Sequence, residues 1–262
     1  MTRDNLRVFK KWFSDYVRSF YLPDREDQKN ISLKEEHTFN VCKNMISITG
    51  ALCLREEDMM VAEAIALFHD IGRFPQYAQY KTFRDRKSVN HGFLGAETLI
   101  QEKILQPLPD NEQELIIKVV RFHNAFSIPK AEKEDVVFFL KLIKDADKLD
   151  IWRVFLEYYD APEEERASAV GLGLPDTAGY SDGVLSYILR GQMATLSQLQ
   201  SLNDFKLMHL SWIYDINFKP SFRLLFERNY IDKIISHLPY DEGVQKASAV
   251  LKEHVRKKLE DV

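Results

Sequence analysis

Residues 61–71, which read VAEAIALFHDI, contain the pattern that decides the fold class. Val61, Ile65 and Phe68 recur at the spacing of one face of a helix, and His69 continues that face. Similar helical periodicity runs through the rest of the chain, and no stretch has the strict alternation of a strand bounded by tight turns. The sequence therefore predicts an all-α protein.

The predicted helices are separated by proline, glycine and capping residues. They cover residues 6–21, 32–54, 58–71, 90–105, 110–124 and 133–157, and further short helices follow between 184 and 262. The second helix is expected to begin at a capping box, the SLKE of residues 32–35. Pro75 is expected to interrupt the pattern and to lead into a basic loop over residues 76–89.

Residues 162–183 are rich in glycine and proline and form the only credible internal boundary. A loop of this length is unusual in a compact domain. We therefore predict a helical core with an N-terminal helix over residues 1–161. The loop over residues 162–183 follows this core. A C-terminal helical extension over residues 184–262 comes last and is expected to pack on the core.

The overall charge limits the partners that this chain can bind. It has 36 Lys and Arg against 40 Asp and Glu, a formal net charge of −4. A nucleic-acid polymer or an acidic membrane surface requires clustered positive charge, so neither is expected as a partner. No uncharged apolar run approaches the roughly 18 residues of a membrane span, and residues 1–20 lack the apolar core of a signal peptide. We expect a cytoplasmic protein, and the sequence leaves its oligomeric state open.

Several histidines and carboxylates fall on the apolar faces of the predicted helices. The residues on these faces are His37, His69, His123 and Asp147, and His91 opens a helix that can face the same interior. A single buried histidine is most often a hydrogen-bonded core residue. Burying several such groups without partners costs several kcal/mol each, so together they call for a compensating charge. A metal centre would supply it.

The order of these residues resembles the H…HD…D signature of the HD-domain metal-dependent phosphohydrolase superfamily. The resemblance covers roughly residues 34–156, with FHDIG at 68–72 and KDADKLD at 144–150. It implies an HD-domain helical bundle with additional C-terminal helices. It also implies one metal ion, held by His37, His69, Asp70 and Asp147.

The resemblance selects Asp147 over the neighbouring Asp145. The family's carboxylate precedes the basic residue of an Ala-Asp-Lys/Arg-Leu segment, and Asp147 has that position. The helical spacing agrees, because Asp145 is expected to lie off the stripe that carries Leu140 and Ile143.

Two further histidines match the binuclear members of this superfamily. These members add one histidine from a His-Gly-x-x-Gly-like helix start and one from the following helix. His91 in HGFLG, at residues 91–95, and His123 fit this pattern. The resemblance thus implies a second ion held by His91 and His123, with Asp70 bridging the pair. Mixed imidazole and carboxylate ligands suit manganese, iron, cobalt or zinc, with magnesium as a further candidate.

Such a centre implies a phosphohydrolase that cleaves a small phosphate ester by attack of a metal-bound hydroxide. Two ions roughly 3.5–4 Å apart activate a shared water and neutralise charge on the phosphoryl and leaving oxygens. Asp70 and Arg73 are the predicted catalytic residues. Arg73, Lys81 and Arg84 follow the His-Asp doublet and are expected to bind the phosphate of a small phosphorylated substrate.

The aromatic residues Phe74, Tyr77 and Tyr80 lie near this basic segment and could stack a base, which would suit a nucleotide. Packing in the core explains them equally well. A cyclic dinucleotide is not favoured, since the Gly-Tyr-Pro segment of the HD-GYP branch is absent from the sequence.

Two other functions remain open at this point. A small branch of HD proteins, which resembles inositol oxygenase, holds two irons with the same six ligands and activates dioxygen. The second open function is a signalling module whose metal site senses a ligand. The basic cluster after Asp70 favours hydrolysis, because a neutral polyol has little use for positive charge.

Overall fold

The computed structural model describes residues 1–129, 132–167 and 170–260. All regular elements in these residues are α-helices or short 3-10 helices, which confirms the predicted all-α class. The α-helices are α1 (Arg3–Arg18), α2 (Arg25–Ala51), α3 (Glu56–Phe68), α4 (Arg73–Tyr80), α5 (His91–Gln101), α6 (Asp110–Phe122), α7 (Glu134–Asp160), α8 (Asp182–Leu189), α9 (Leu202–Ser211), α10 (Lys219–Glu227), α11 (Tyr230–Ile235) and α12 (Glu242–Glu260). Within these described ranges, no helix is both long enough and apolar enough to cross a membrane.

The chain divides into two compact units, Met1–Asp150 and Ile151–Val262, and α7 begins in the first and ends in the second. In the first unit, α3 packs against α1, α2 and α6, while α5 packs against α4 and α6. In the second unit, α12 packs against α8, α10 and α11.

The domain boundaries expected from the sequence stay a prediction. Residues 168 and 169 of the expected glycine-rich loop, and residues 261 and 262, lie outside the described residues.

The start of α2 differs from the sequence prediction. The helix begins at Arg25, where the Asp24 side chain accepts a hydrogen bond from the backbone N–H of Asp27 at 2.9 Å. This bond satisfies one of the N–H groups that a helix leaves without a partner at its start. Ser32 lies inside the helix, and its hydroxyl accepts a hydrogen bond from Gln28 instead of capping. The capping-box prediction is therefore wrong.

The segment after the His-Asp doublet is also more helical than predicted. Residues 73–80 form α4, with Pro75 in its first turn. A proline is tolerated there because the first N–H groups of a helix have no partner within it. The irregular connection is confined to residues 81–90 and contains a 3-10 helix over Asp85–Lys87.

Candidate metal centre

Two of the predicted ligands stand at the ends of helices of equal length. His69 is the C-cap of α3 and His123 is the C-cap of α6. Nδ1 of His69 lies 2.7 Å from the carbonyl oxygen of Ala66, and Nδ1 of His123 lies 2.7 Å from the carbonyl oxygen of Val120. Each acceptor is three residues before its histidine. A carbonyl can only accept, so Nδ1 carries the proton and Nε2 keeps an unshared electron pair. Both rings are thereby fixed in the form that binds metal.

Carboxylates orient the other two histidines in the same way. Nδ1 of His37 lies 2.7 Å from Oδ2 of Asp150, and Nδ1 of His91 lies 2.8 Å from Oδ2 of Asp85. His91 is the first residue of α5, and it is buried. All four histidines thus use Nδ1 for a contact with the protein and direct Nε2 to a common centre.

Asp70 lies between the two pairs of histidines. Its Oδ2 is 3.7 Å from Nε2 of both His37 and His69. Its Oδ1 is 3.3 Å from Nε2 of His91 and 3.7 Å from Nε2 of His123. The ligand atoms of each pair and of Asp70 lie within 4.8 Å of one another, and all five residues are buried. Each oxygen of Asp70 therefore faces a different candidate metal position.

Asp147 adds a second carboxylate on one side of this arrangement. Its Oδ1 lies 3.0 Å from Nε2 of His37 and 3.8 Å from Nε2 of His69, and its side chain is 22% exposed. The structure thus brings all six predicted ligands together. Asp145 is fully buried, so burial alone does not select Asp147 over it. The reason is that α7 is covered on more than one side, with Leu142, Ala146 and Leu149 buried as well as Leu140 and Ile143.

The electron pairs directed into the centre fit a metal ion. Nε2 of His37 and Nε2 of His69 are buried and make no hydrogen bond within the described part of the chain. Nε2 of His91 and of His123 lie 3.1 Å apart, and both rings direct Nδ1 at an acceptor. Two facing electron pairs repel each other, and a buried group left without its partner costs about 1–3 kcal/mol. Bound cations would remove the repulsion between the electron pairs and give the buried nitrogens a partner. The mixed nitrogen and oxygen donors suit divalent transition metals.

The surroundings shift the pKa values of the proposed ligands in different directions. Burial lowers the pKa of His69 to about 4, and burial together with Arg73 lowers the pKa of His91 to about 3. For His37, burial and a neighbouring cation lower the pKa, but Asp147 and a second carboxylate outweigh them and raise it. Burial would raise the pKa of Asp70, but surrounding positive charge holds it well below its usual value. The carboxylate is therefore ionised at neutral pH.

The family assignment follows from the sequence of the same segment. Residues 35–152 match the family model described as HD domain. This part of the chain belongs to the HD-domain family. The matched range includes all six predicted ligands. Neither curated proteins nor solved structures gave a match to the chain.

Asp85 of the HD domain is a functional candidate that the sequence analysis missed. Besides the contact with His91, it accepts hydrogen bonds from Arg73, Gln76 and Asn124, each at 3.0 Å. Burial opposes ionisation, but the bond with His91 and these neighbours lower the pKa of Asp85 to about 2. It lies in the connection between α4 and α5, and no spacing rule relates it to the ligands.

Two further candidates could have been found from helical spacing. Asp150 lies three residues after Asp147 on α7, and Lys34 lies three residues before His37 on α2. Residues three apart share a face of a helix. Nζ of Lys34 lies 2.7 Å from Oδ2 of Asp70, so a positive charge reaches the centre from α2.

The three predicted phosphate-binding residues of the HD domain differ in their positions. Nε of Arg73 lies 3.4 Å from Oδ1 of Asp70, at the centre. Lys81 pairs with Asp27, and its ammonium lies over the ring of Tyr77. Arg84 is half-buried, with no ion pair recorded to any described residue. The structure therefore brings Arg73 to the ligands, and the recorded contacts of Lys81 lie outside them.

The aromatic side chains near Arg73 belong largely to the core. Phe74 is fully buried, and Tyr77 is 4% exposed and binds Asn30 and Asp27 through its hydroxyl. Of the two explanations that the sequence left open for Phe74 and Tyr77, their burial favours packing in the core. Tyr80 is exposed.

Proposed function

We propose that this chain is a metal-dependent phosphohydrolase that cleaves a small phosphate ester. The HD-domain family generally comprises metal-dependent hydrolases, and residues 35–152 belong to it. The observation that carries the proposal is the position of Asp70, whose two oxygens face separate histidine pairs. A carboxylate in this position suits a centre of two metal ions.

The proposed ligands form two sets that share Asp70. One set is His37, His69, Asp70 and Asp147, and the other is Asp70, His91 and His123. Manganese, iron, cobalt and zinc suit these donors, with magnesium as a further candidate. Such ions, when bound, supply an activated water and positive charge for the phosphoryl oxygens. Asp150 and Asp85 hold the rings of His37 and His91 so that Nε2 stays directed inward.

The charge around the centre supports an anionic substrate. The charged side chains recorded in contact with the four histidines or with Asp70 include four carboxylates and two cations. They are Asp70, Asp85, Asp147, Asp150, Lys34 and Arg73. With neutral histidines, their net charge is −2. Two divalent ions would reverse its sign and leave a positive centre, which a phosphate monoester dianion would neutralise.

Arg73 is the residue that we propose to act on the substrate from the protein side. Its guanidinium is bound by Asp85 and Gln76 and lies next to Asp70, which fixes its direction. A charged group held in advance at the reacting phosphoryl stabilises the transition state without reorganising. Lys81 and Arg84 are proposed to contribute less, since the described residues show no contact between either of them and a proposed ligand.

The test is a panel of phosphomonoesters, phosphodiesters and nucleotides, each assayed with manganese, iron, cobalt, zinc and magnesium. We expect release of phosphate with at least one ester. Asp70→Ala should abolish it more completely than His123→Ala, because Asp70 serves both ions. Arg73→Ala should lower the rate by on the order of 10- to 1,000-fold, with metal content unchanged. Oxygen consumption with an organic substrate by the iron-loaded protein, without cleavage of any ester, would contradict the proposal and favour an oxygenase.

A further inference from the structure

Lys34 lies at the edge of the metal centre, between the buried carboxylate of Asp70 and solvent. It precedes His37 by three residues on α2, and α2 starts well before it, at Arg25. Its side chain is thus held by a continuous helix on the face that carries His37. The Lys34 side chain is 17% exposed and that of Asp70 is 4% exposed. A ligand that enters the centre from solvent can therefore reach the ammonium group.

The ammonium group of Lys34 has hydrogen-bonding capacity left over. It carries three N–H donors. Among the residues that the structure describes, Asp70 is the one recorded acceptor, at 2.7 Å from Nζ. The ring of Phe83, 5.6 Å from Nζ, attracts the charge through its face but accepts no conventional hydrogen bond. Lys34 can keep its bond to Asp70 and still donate to a bound anion.

Arg73 lies on the other side of the same carboxylate. Its NH1 group already donates to Gln76, to the carbonyl of Phe83 and to Asp85. Both cations lie over the ring of Phe83, with Cζ of Arg73 5.8 Å from its centroid. Lys34 approaches Oδ2 of Asp70, and Arg73 approaches Oδ1. The shared carboxylate is thus flanked by one cation on each side.

We propose that Lys34 binds an oxygen of the substrate's phosphoryl group on the His37 and His69 side of the centre. This inference rests on the proposed phosphohydrolase function and adds a residue that contacts the substrate. A lysine ammonium is a compact point charge that suits a phosphoryl oxygen. Arg73 then serves the side of His91, and the two cations bind different oxygens of one phosphoryl group.

The inference is tested with inorganic phosphate as the probe and the manganese-loaded protein. Lys34→Met removes the charge and keeps the length of the side chain, and Lys34→Arg keeps the charge. Lys43→Met is the matched control, because Lys43 is exposed on the same helix and its ammonium binds Asn40. Calorimetry gives the affinity for phosphate, and elemental analysis gives the metal content.

We expect Lys34→Met to weaken phosphate binding by about 10- to 100-fold, the usual effect of losing a hydrogen bond to a charged group. Lys34→Arg should recover part of the affinity, and Lys43→Met should match the wild type. Metal content should stay the same in all three variants. Thermal unfolding verifies that each variant is folded, and Lys34→Gln replaces Lys34→Met if the latter is not.

Three results would overturn the inference. They are unchanged phosphate affinity in Lys34→Met, no phosphate binding by the metal-loaded wild type, and a loss of metal with unchanged phosphate affinity per bound ion. The last result would reduce Lys34 to a positioning residue for Asp70. Failure of the proposed function is a separate outcome. In that case, the wild type binds phosphate through Lys34 but cleaves no ester in the panel.

Discussion

Oδ2 of Asp150 lies 2.7 Å from Nδ1 of His37, and both side chains are buried. The carboxylate fixes the ring of His37 with Nε2 toward the centre and increases the basicity of that nitrogen. Asp150 lies one helical turn after Asp147 on α7. A single helix therefore supplies a proposed ligand and the group that orients another.

Asp150→Asn should weaken metal binding on the His37 side by about 10- to 100-fold. The amide keeps a possible acceptor for Nδ1 but lacks the charge that raises the basicity of the ring. Competition with a chelator measures the affinity, and Asp15→Asn, at an exposed site on α1, is the control. Equal affinity in Asp150→Asn and the wild type would show that this contact does not tune the centre.

Asp85→Ala should affect the other side of the centre. Loss of its bonds to His91 and Arg73 leaves the His91 ring without its orienting group, so the ion next to His91 and His123 should dissociate first. Metal content should fall from about two ions per chain toward one. Asp27→Ala is the control, since Asp27 pairs with Lys81 and has no recorded contact with the histidines. A proportional loss of both ions would contradict the separate roles of Asp85 and Asp150.

Helical spacing predicted that His37, His69, His123 and Asp147 face inward. The resemblance to the HD-domain superfamily added Asp70 and implied that all six residues are metal ligands. His37 precedes apolar residues at helical intervals and His123 follows them, and all of these residues are buried in the structure. Lys34 and Asp150 share faces with predicted ligands, so the same rule could have identified them. Asp85 could not be found in this way. Its position depends on the path of an irregular connection, which local sequence does not determine.

The errors in helix boundaries have a related cause. Residues 32–35 match the capping-box pattern. However, Asp24 already caps α2 eight residues earlier, so Ser32 lies inside the helix. Pro75 was expected to interrupt the pattern, yet it occupies a first turn, where proline is tolerated. In both cases the residue type allowed two positions in a helix, and the tertiary context selected one.

Gly72→Ala should destabilise the fold and disturb the His91 side of the centre. A Cβ at Gly72 would lie 2.2 Å from the carbonyl oxygen of His91 and 2.6 Å from the backbone nitrogen of Gly95, so α5 would have to move. Such overpacking typically costs about 1–3 kcal/mol. Urea unfolding gives the free energy of unfolding. Gly179→Ala is the control, because a Cβ there meets nothing within 4 Å. Equal stability of the two variants would contradict this close approach.

His209 should make the stability of the chain fall in acid. Its ring lies 3.7 Å from that of Phe155, both of its nitrogens lack a partner among the described residues, and burial holds its pKa well below 6.5. The unfolded chain binds a proton near pH 6.5 that the folded chain does not, so the free energy of unfolding decreases as the pH falls below that value. His209→Leu should reduce this decrease by up to about 1.4 kcal/mol per pH unit. Urea unfolding of both proteins at about pH 7.5 and about pH 5 measures it, and parallel pH curves would exclude His209 as a cause.

Metal stoichiometry tests most directly whether two metal ions share Asp70. Elemental analysis of the wild type purified without added metal, and again after saturation and desalting, gives the number of ions per chain. We predict about two ions in the wild type, about one in His123→Ala, and loss of both in Asp70→Ala. At most one tightly bound ion in the wild type, with no loss of metal in His91→Ala and His123→Ala, would contradict a two-ion centre that shares Asp70.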